Sequence, residues 1–164
     1  MRNKLIVGIA LIVLLLVGGY LYNKYRIAPR VKFNALELYD VKGKPFSTDE
    51  LKGKKVFVNF FGTWCGPCMH EWPLLEATQA ILEKEGYMFI AISDEPVKKL
   101  DRFTERNNTN IKVLYSQQKL KELKIFSVPT SYLLNEKQEI VFTQTGEFEG
   151  TPVQVAQQLR KAFK

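Results

Sequence analysis

The chain has 164 residues and 24 lysines and arginines against 17 acids, a formal charge of +7; that length allows one domain plus an appendage. The excess is confined to one end, because Arg2, Lys4, Lys24, Arg26, Arg30 and Lys32 fall in residues 1–32 without an acid, and the other 132 residues carry 18 basic and 17 acidic side chains. Basic residues beside an apolar run suit a membrane surface, and the nearly neutral remainder gives no footprint for nucleic acid.

Residues 5–22 form an uncharged run of 18. As a helix it would span about 27 Å, enough for a thin or average bilayer core. Two fates are open. Val17-Gly18-Gly19 offers small residues near a cut site for a leader, but the run is long for one and continues into Tyr20, Leu21 and Tyr22, whose rings suit a membrane interface. A retained anchor or uncleaved signal is expected over residues 1–26, a linker over 27–32 and the folded domain over 33–164. No cysteine follows the run, so lipoprotein processing is not expected. The four basic residues after the run would by themselves hold the domain inside the cell. A short basic segment leading straight into an apolar helix is, however, the layout of an uncleaved signal, and large downstream domains translocate largely regardless of charge. The expected placement is a single-pass membrane protein with its domain on the extracytoplasmic side.

Within the domain, residues 33–39 alternate, and Asp40-Val41-Lys42-Gly43-Lys44-Pro45 reads as a hairpin turn into Phe46. Ser47 to Leu51 has capping chemistry for one short helical turn. Residues 54–61 are β-branched and aromatic, a buried strand, and Gly62-Thr63 allows a turn. Beyond Cys68, Trp72, Leu75, Ala77, Ala80 and Leu82 recur at helical spacing up to a C-cap at Gly86. Next come a buried strand over 87–93, a helix from Pro96 to Asn107-Asn108 with Val97, Leu100 and Phe103 on one side, a short strand over 112–115 and a helix around 117–123. Strands over 131–134 and 139–142 form a hairpin, and a last helix is capped by Thr151 with Pro152 at its first position. The pattern is α/β, a mixed central sheet with helices on both faces.

Both cysteines stand in Trp64-Cys65-Gly66-Pro67-Cys68. At a helix start, the unsatisfied N–H groups and the dipole stabilise negative charge on the first sulfur, and the thiolate is the reactive form. The second sulfur lies one turn along, placed to displace a partner captured by the first. As a staple the pair closes too small a loop to constrain much of the unfolded chain. Structural zinc wants four ligands, but the chain offers one pair and the single His70. Met69 stands where covalent haem attachment needs histidine. Neither metal nor cofactor is expected. Strand, tight turn, Cys-x-x-Cys and helix together are the layout of a thioredoxin-like redox site.

Residues 33–164 resemble the thioredoxin-like proteins and, within them, the membrane-anchored TlpA/ResA-like thiol-disulfide oxidoreductases. Three segments carry the resemblance: residues 59–68, Glu71-Trp72-Pro73, and Val128-Pro129-Thr130. The unit over 87–107 also resembles that subgroup's insertion. The resemblance implies a thioredoxin-like fold, an exposed attacking Cys65 and a resolving Cys68. It implies a cis bond before Pro129, leaving the Val128 backbone to pair with an extended substrate, and substrate contacts at Trp64, Gly66, Pro67, Val128, Pro129 and Thr130. Glu71, three residues after Cys68, shares its face of the helix. Asn59 is a neutral amide where ordinary thioredoxins carry a buried aspartate, so Glu71 is the expected proton acceptor, with burial raising its pKa toward neutrality. His70 is expected at the surface.

The implied partners are protein disulfides, among them apocytochrome c thiol sites, and a membrane thiol-disulfide electron carrier. Direction is open: potentials in this fold span about −270 to −120 mV, and the Gly66-Pro67 dipeptide leans toward a reductase. The alternatives are a disulfide oxidase or isomerase of the same fold and a tethered binding or metallochaperone module without turnover. A copper chaperone would want a wider cysteine spacing, and a thiol peroxidase a different cysteine position.

Overall fold

The structure, a computed structural model, describes residues 2–24 and 28–163. The anchor-flank residues Tyr25 and Arg26 and the linker residue Ile27 lie outside the described residues. The apolar run forms one helix, α1 (Arg2–Lys24), with Ile6, Ile9, Val13, Leu16 and Tyr20 all exposed. Among the described residues no helix is long and apolar enough to cross a membrane. The membrane-spanning helix expected before the domain is therefore not found among them.

The domain is one seven-stranded mixed sheet. Its strands are β1 (Leu38–Asp40), β2 (Pro45–Phe46), β3 (Lys55–Phe60), β4 (Tyr87–Ser93), β5 (Lys112–Ser116), β6 (Thr130–Leu134) and β7 (Ile140–Thr145), in the order β2-β1-β5-β4-β3-β6-β7. β3, β4 and β5 run parallel; the other pairings are antiparallel. The parallel steps need crossovers, supplied by α2 (Gly66–Leu82) and α3 (Val97–Asn107), and α4 (Pro152–Lys161) closes the chain. Helix ends follow their local chemistry. A 3-10 turn extends α2 to Gly86, whose φ of 80° suits glycine. Thr151 and Gln154 cap α4 reciprocally.

Alternation sorts the strands onto two layers. Phe57 and Phe61 join Phe89, Ala91, Val113 and Leu133 under α2, α3 and α4, together with Trp72, Leu75, Leu100, Phe103, Val155 and Leu159. Val56, Val58 and Phe60 join Ile90, Ile92, Leu114, Tyr132 and Leu134 on the other face, where the covering residues are Val31, Phe33, Leu36, Leu51 and Ile125. This corrects the expectation of α-helices on both faces. The second face is covered by 3-10 turns (Phe33–Ala35 and Thr48–Leu51) and irregular chain.

The helix expected around 117–123 belonged there and is only a turn. Leu120 N–H donates to the Asp94 carboxylate (3.2 Å), and Lys124 at φ 61° ends the coil before a second turn can form. Leu120, Leu123 and Ile125 still reach the core from that turn.

Candidate active site

β3 leads the chain out of the sheet at the carboxyl end of the parallel strands, where open α/β sheets place their sites. The exit is tightly held: Phe61 N–H donates to the Ile92 carbonyl and Cys65 N–H to the Gly62 carbonyl, each at 3.0 Å. The Trp64 indole lies over Gly62, and a Cβ there would stand 2.7 Å from the ring and push it aside. Trp64 itself is 71% exposed.

Cys65 is the N-cap of α2, extended at φ −84°, ψ 109°, and its Sγ accepts a hydrogen bond from Cys68 N–H at 3.2 Å. That is the donor a capping oxygen would otherwise satisfy. Gly66 and Pro67, both exposed, make the first turn, where a missing proline N–H costs nothing. Pro73, further in, removes one helical hydrogen bond. Cys65 and Cys68 are joined in a disulfide, so the structure is the oxidised form. Cys65 is 4% exposed and Cys68 1%, which corrects the expectation of an open attacking sulfur for this redox state. The Val128 carbonyl oxygen lies 3.6 Å from Cys65 Sγ and helps to cover it.

The Val128-Pro129 peptide bond is cis. Val128 is half-buried, and its N–H has no partner among the described residues. Pro129 is buried, and its carbonyl accepts from Gly146 N–H at 2.9 Å. Thr130 is buried too, its hydroxyl donating to the Ser127 carbonyl at 2.7 Å, so its side chain faces inward to brace the loop.

Glu71 is 1% exposed. Asn59 Nδ2 donates to its Oε1 at 2.9 Å and Phe148 N–H to its Oε2 at 2.8 Å. Burial pushes its carboxyl up to about 7; the two hydrogen bonds pull it down, and the nearby Glu147 charge adds to the rise. A carboxyl held there exchanges protons near neutral pH. Strand register supplies the setting: Asn59 and Ser131 are opposite on β3 and β6, and the second Nδ2 proton goes to Ser131 Oγ at 2.9 Å. Asn59 Oδ1 is buried without a partner among the described residues. His70 points outward as expected, with Nδ1 2.8 Å from Glu147 Oε2.

Two residues were missed in the sequence. Glu95, 8% exposed, accepts from Thr63 N–H at 2.6 Å and Thr63 Oγ1 at 3.0 Å, and pairs with Lys99 one turn along. Burial raises its carboxyl, but the hydrogen bonds from Lys99 and Thr63 outweigh this and hold it below the usual value. An acid closing a buried strand, immediately before Pro96, was the available signal. The other is Phe126, 80% exposed two residues before Val128. No periodicity could mark it.

Residues 26–159 match the family model described as Redoxin. The thiol-disulfide oxidoreductase ResA of Geobacillus kaustophilus (strain HTA426) is 28% identical over 155 residues, covering 88% of this chain and 89% of that protein. ResA of Bacillus subtilis (strain 168) is 29% identical over 147 residues, covering 85% and 82%. A thiol:disulfide interchange protein of the thioredoxin family from Chlorobium tepidum TLS shares the fold, with a TM-score of 0.65 at 23% identity over 84% of this chain and 99% of that one. With its Cys-x-x-Cys pair closed at the start of α2, the chain belongs to the Redoxin family, as a thioredoxin-like, ResA-like thiol-disulfide oxidoreductase.

Proposed function

We propose that the protein is a membrane-tethered reductase of protein disulfides, working on the extracytoplasmic side. The observation that supports this reading most strongly is the disulfide capping α2, with a buried carboxyl three residues beyond its second cysteine. In the reduced protein the Cys65 thiolate attacks a substrate disulfide. The substrate S–S bond breaks, a mixed disulfide forms at Cys65, and the leaving sulfur takes a proton. Cys68 then gives its proton to the Glu71 carboxylate and attacks Cys65 Sγ. The mixed disulfide breaks, the Cys65–Cys68 bond forms, and the second substrate sulfur leaves as a thiol. Two electrons pass to the substrate. Trp64, Gly66, Pro67 and the Val128-Pro129-Thr130 loop border the attacked sulfur, with the Val128 backbone pairing to an extended substrate.

A membrane thiol carrier re-reduces the pair in this reading, and apocytochrome c thiol sites, which the family resemblance implies, are the target. The apolar run at residues 5–22 and its basic flanks support the anchor. Gly66-Pro67 supports the reducing direction. A redox titration of the full chain tests direction: a midpoint near the thioredoxin end, about −270 mV, is expected, and one near −120 mV makes the protein an oxidase. A topology reporter fused after Lys164 is expected to be active only outside the cytoplasm; activity inside contradicts the placement.

A further inference from the structure

Among the described residues from 28 onward, the large apolar side chains left exposed are Trp64, Phe126 and Val153. Val153 lies on α4. The other two bracket the disulfide: Trp64 precedes Cys65, and Phe126 stands two residues before the Val128 carbonyl that covers Cys65 Sγ. No packing partner among the described residues accounts for Phe126. Its neighbour Ile125, 3% exposed, makes the core contact for that turn, while the ring itself is left in water at a hydrophobic cost. Exposed aromatic rings set beside a functional centre are the kind of residue that dominates binding energy at interfaces. The turn before it is net basic, Lys119, Lys121 and Lys124 standing against the single acid Glu122, whose carboxylate accepts from Lys119 N–H at 3.1 Å. Lys121 and Lys124 are exposed on the turn leading to Phe126 and have no ion pair among the described residues, whereas Lys119 lies 3.9 Å from the Asp94 carboxylate.

We infer that Phe126 and Trp64 are the two walls of a seat for an extended polypeptide bearing the target cystine, with an apolar side chain two residues from the attacked cysteine and an acidic one beyond it. Phe126 stands two residues before Val128, across a bend at 127–129. An extended substrate on Val128 rises about 3.3 Å per residue, so a side chain about two residues from its cysteine is the one placed to reach Phe126. The residues after it meet Lys121 and Lys124, whose attraction is modest and falls with salt. The inference rests on the oxidoreductase reading and adds a preference to it.

The test follows single turnovers of the full, pre-reduced chain in detergent micelles, wild type and Phe126→Ser, with three disulfides. These are DTNB, a cystine-bridged peptide with Leu two residues from each cysteine and Asp beyond, and the same peptide with Ser and Lys at those positions. KM and kcat are the half-saturating disulfide concentration and the limiting rate of that turnover. The seat predicts that Phe126→Ser raises KM for the Leu/Asp peptide about tenfold, leaves kcat unchanged, and leaves DTNB and the Ser/Lys peptide within about twofold. Lys121→Ala with Lys124→Ala is expected to raise KM for the Leu/Asp peptide alone, an effect that disappears at high salt. An unchanged KM in Phe126→Ser, with normal DTNB reduction, overturns the seat and leaves the oxidoreductase reading standing. The same unchanged KM with loss of a dimer in sedimentation assigns the ring to a second copy of the chain and also overturns it. A wild-type chain that reduces none of the three disulfides refutes the oxidoreductase reading, and the seat with it.

Discussion

The two faces of the sheet are built from the same strands and differ in what they bury. Under α2, α3 and α4 the core holds the disulfide and, beside it, Glu71, Asn59 and Ser131, buried polar groups tied to one another. The opposite face is mostly apolar; Thr130, Ser116 and Tyr132 are polar side chains buried on it, the Tyr132 hydroxyl donating to the Pro29 carbonyl at 2.7 Å. Successive residues of β3 divide between the two: Val58 and Phe60 turn to the apolar face, and Asn59 turns to the redox face. One layer supplies packing. The other gives up packing to hold a buried carboxyl three residues beyond Cys68. Burying a carboxyl costs stability when it ionises, so the difference between the faces is measurable.

The sharpest break between them is chemical. Cys65→Ser is expected to abolish disulfide exchange, and Cys68→Ala to accumulate mixed disulfides with partners, both read as adducts on non-reducing gels. Adducts in the first variant, or none in the second, would reverse the order of attack. On the apolar face, Phe60→Ala removes a fully buried ring. It is expected to cost about 3–5 kcal/mol, seen as a lowered Tm, while the DTNB rate of the still-folded fraction stays near wild type.

A smaller effect isolates the carboxyl. Because burial lifts Glu71 from 4.5 to about 7, its contribution to stability is present in full below pH 4.5 and is lost as pH rises to about 7. That rise corresponds to about 3 kcal/mol. Urea melts from pH 4 to 8 are expected to show this loss in wild type and a flat profile for Glu71→Gln across the same window. Equal slopes would mean that the carboxyl is not buried in solution. Smallest is Tyr132→Phe, which leaves the Pro29 carbonyl without its donor and is expected to cost about 1 kcal/mol in denaturant melts. Activity should not change.

Most of the architecture was legible because its signals are local. The β-branched run before Gly62, the return to helical spacing after Cys68, the positive-φ glycine at 86 and the Thr151-Pro152 cap each act within a few residues. Residues 117–123 misled because two leucines at helical spacing sit in a segment whose ends are fixed from elsewhere, by Asp94 and by the backbone at Lys124. In the site, the cysteines and Glu71 could be placed from spacing along α2. The groups that hold Glu71 could not. Phe148 lies 77 positions away and Ser131 reaches Asn59 only through the register of β3 and β6. Glu95 was overlooked for the same reason: its partner Thr63 lies 32 positions away. Phe126 was overlooked because the exposure of one ring leaves no periodic mark in a sequence.

The proposed mechanism requires Glu71 to accept the Cys68 proton from within the core. Its most direct test is the rate at which Cys68 resolves a mixed disulfide preformed at Cys65, followed by stopped flow from pH 5 to 9 in wild type and Glu71→Gln. A wild-type midpoint near 7, the value set by Glu71, that vanishes in the variant is the predicted result. The same profile in both proteins contradicts it.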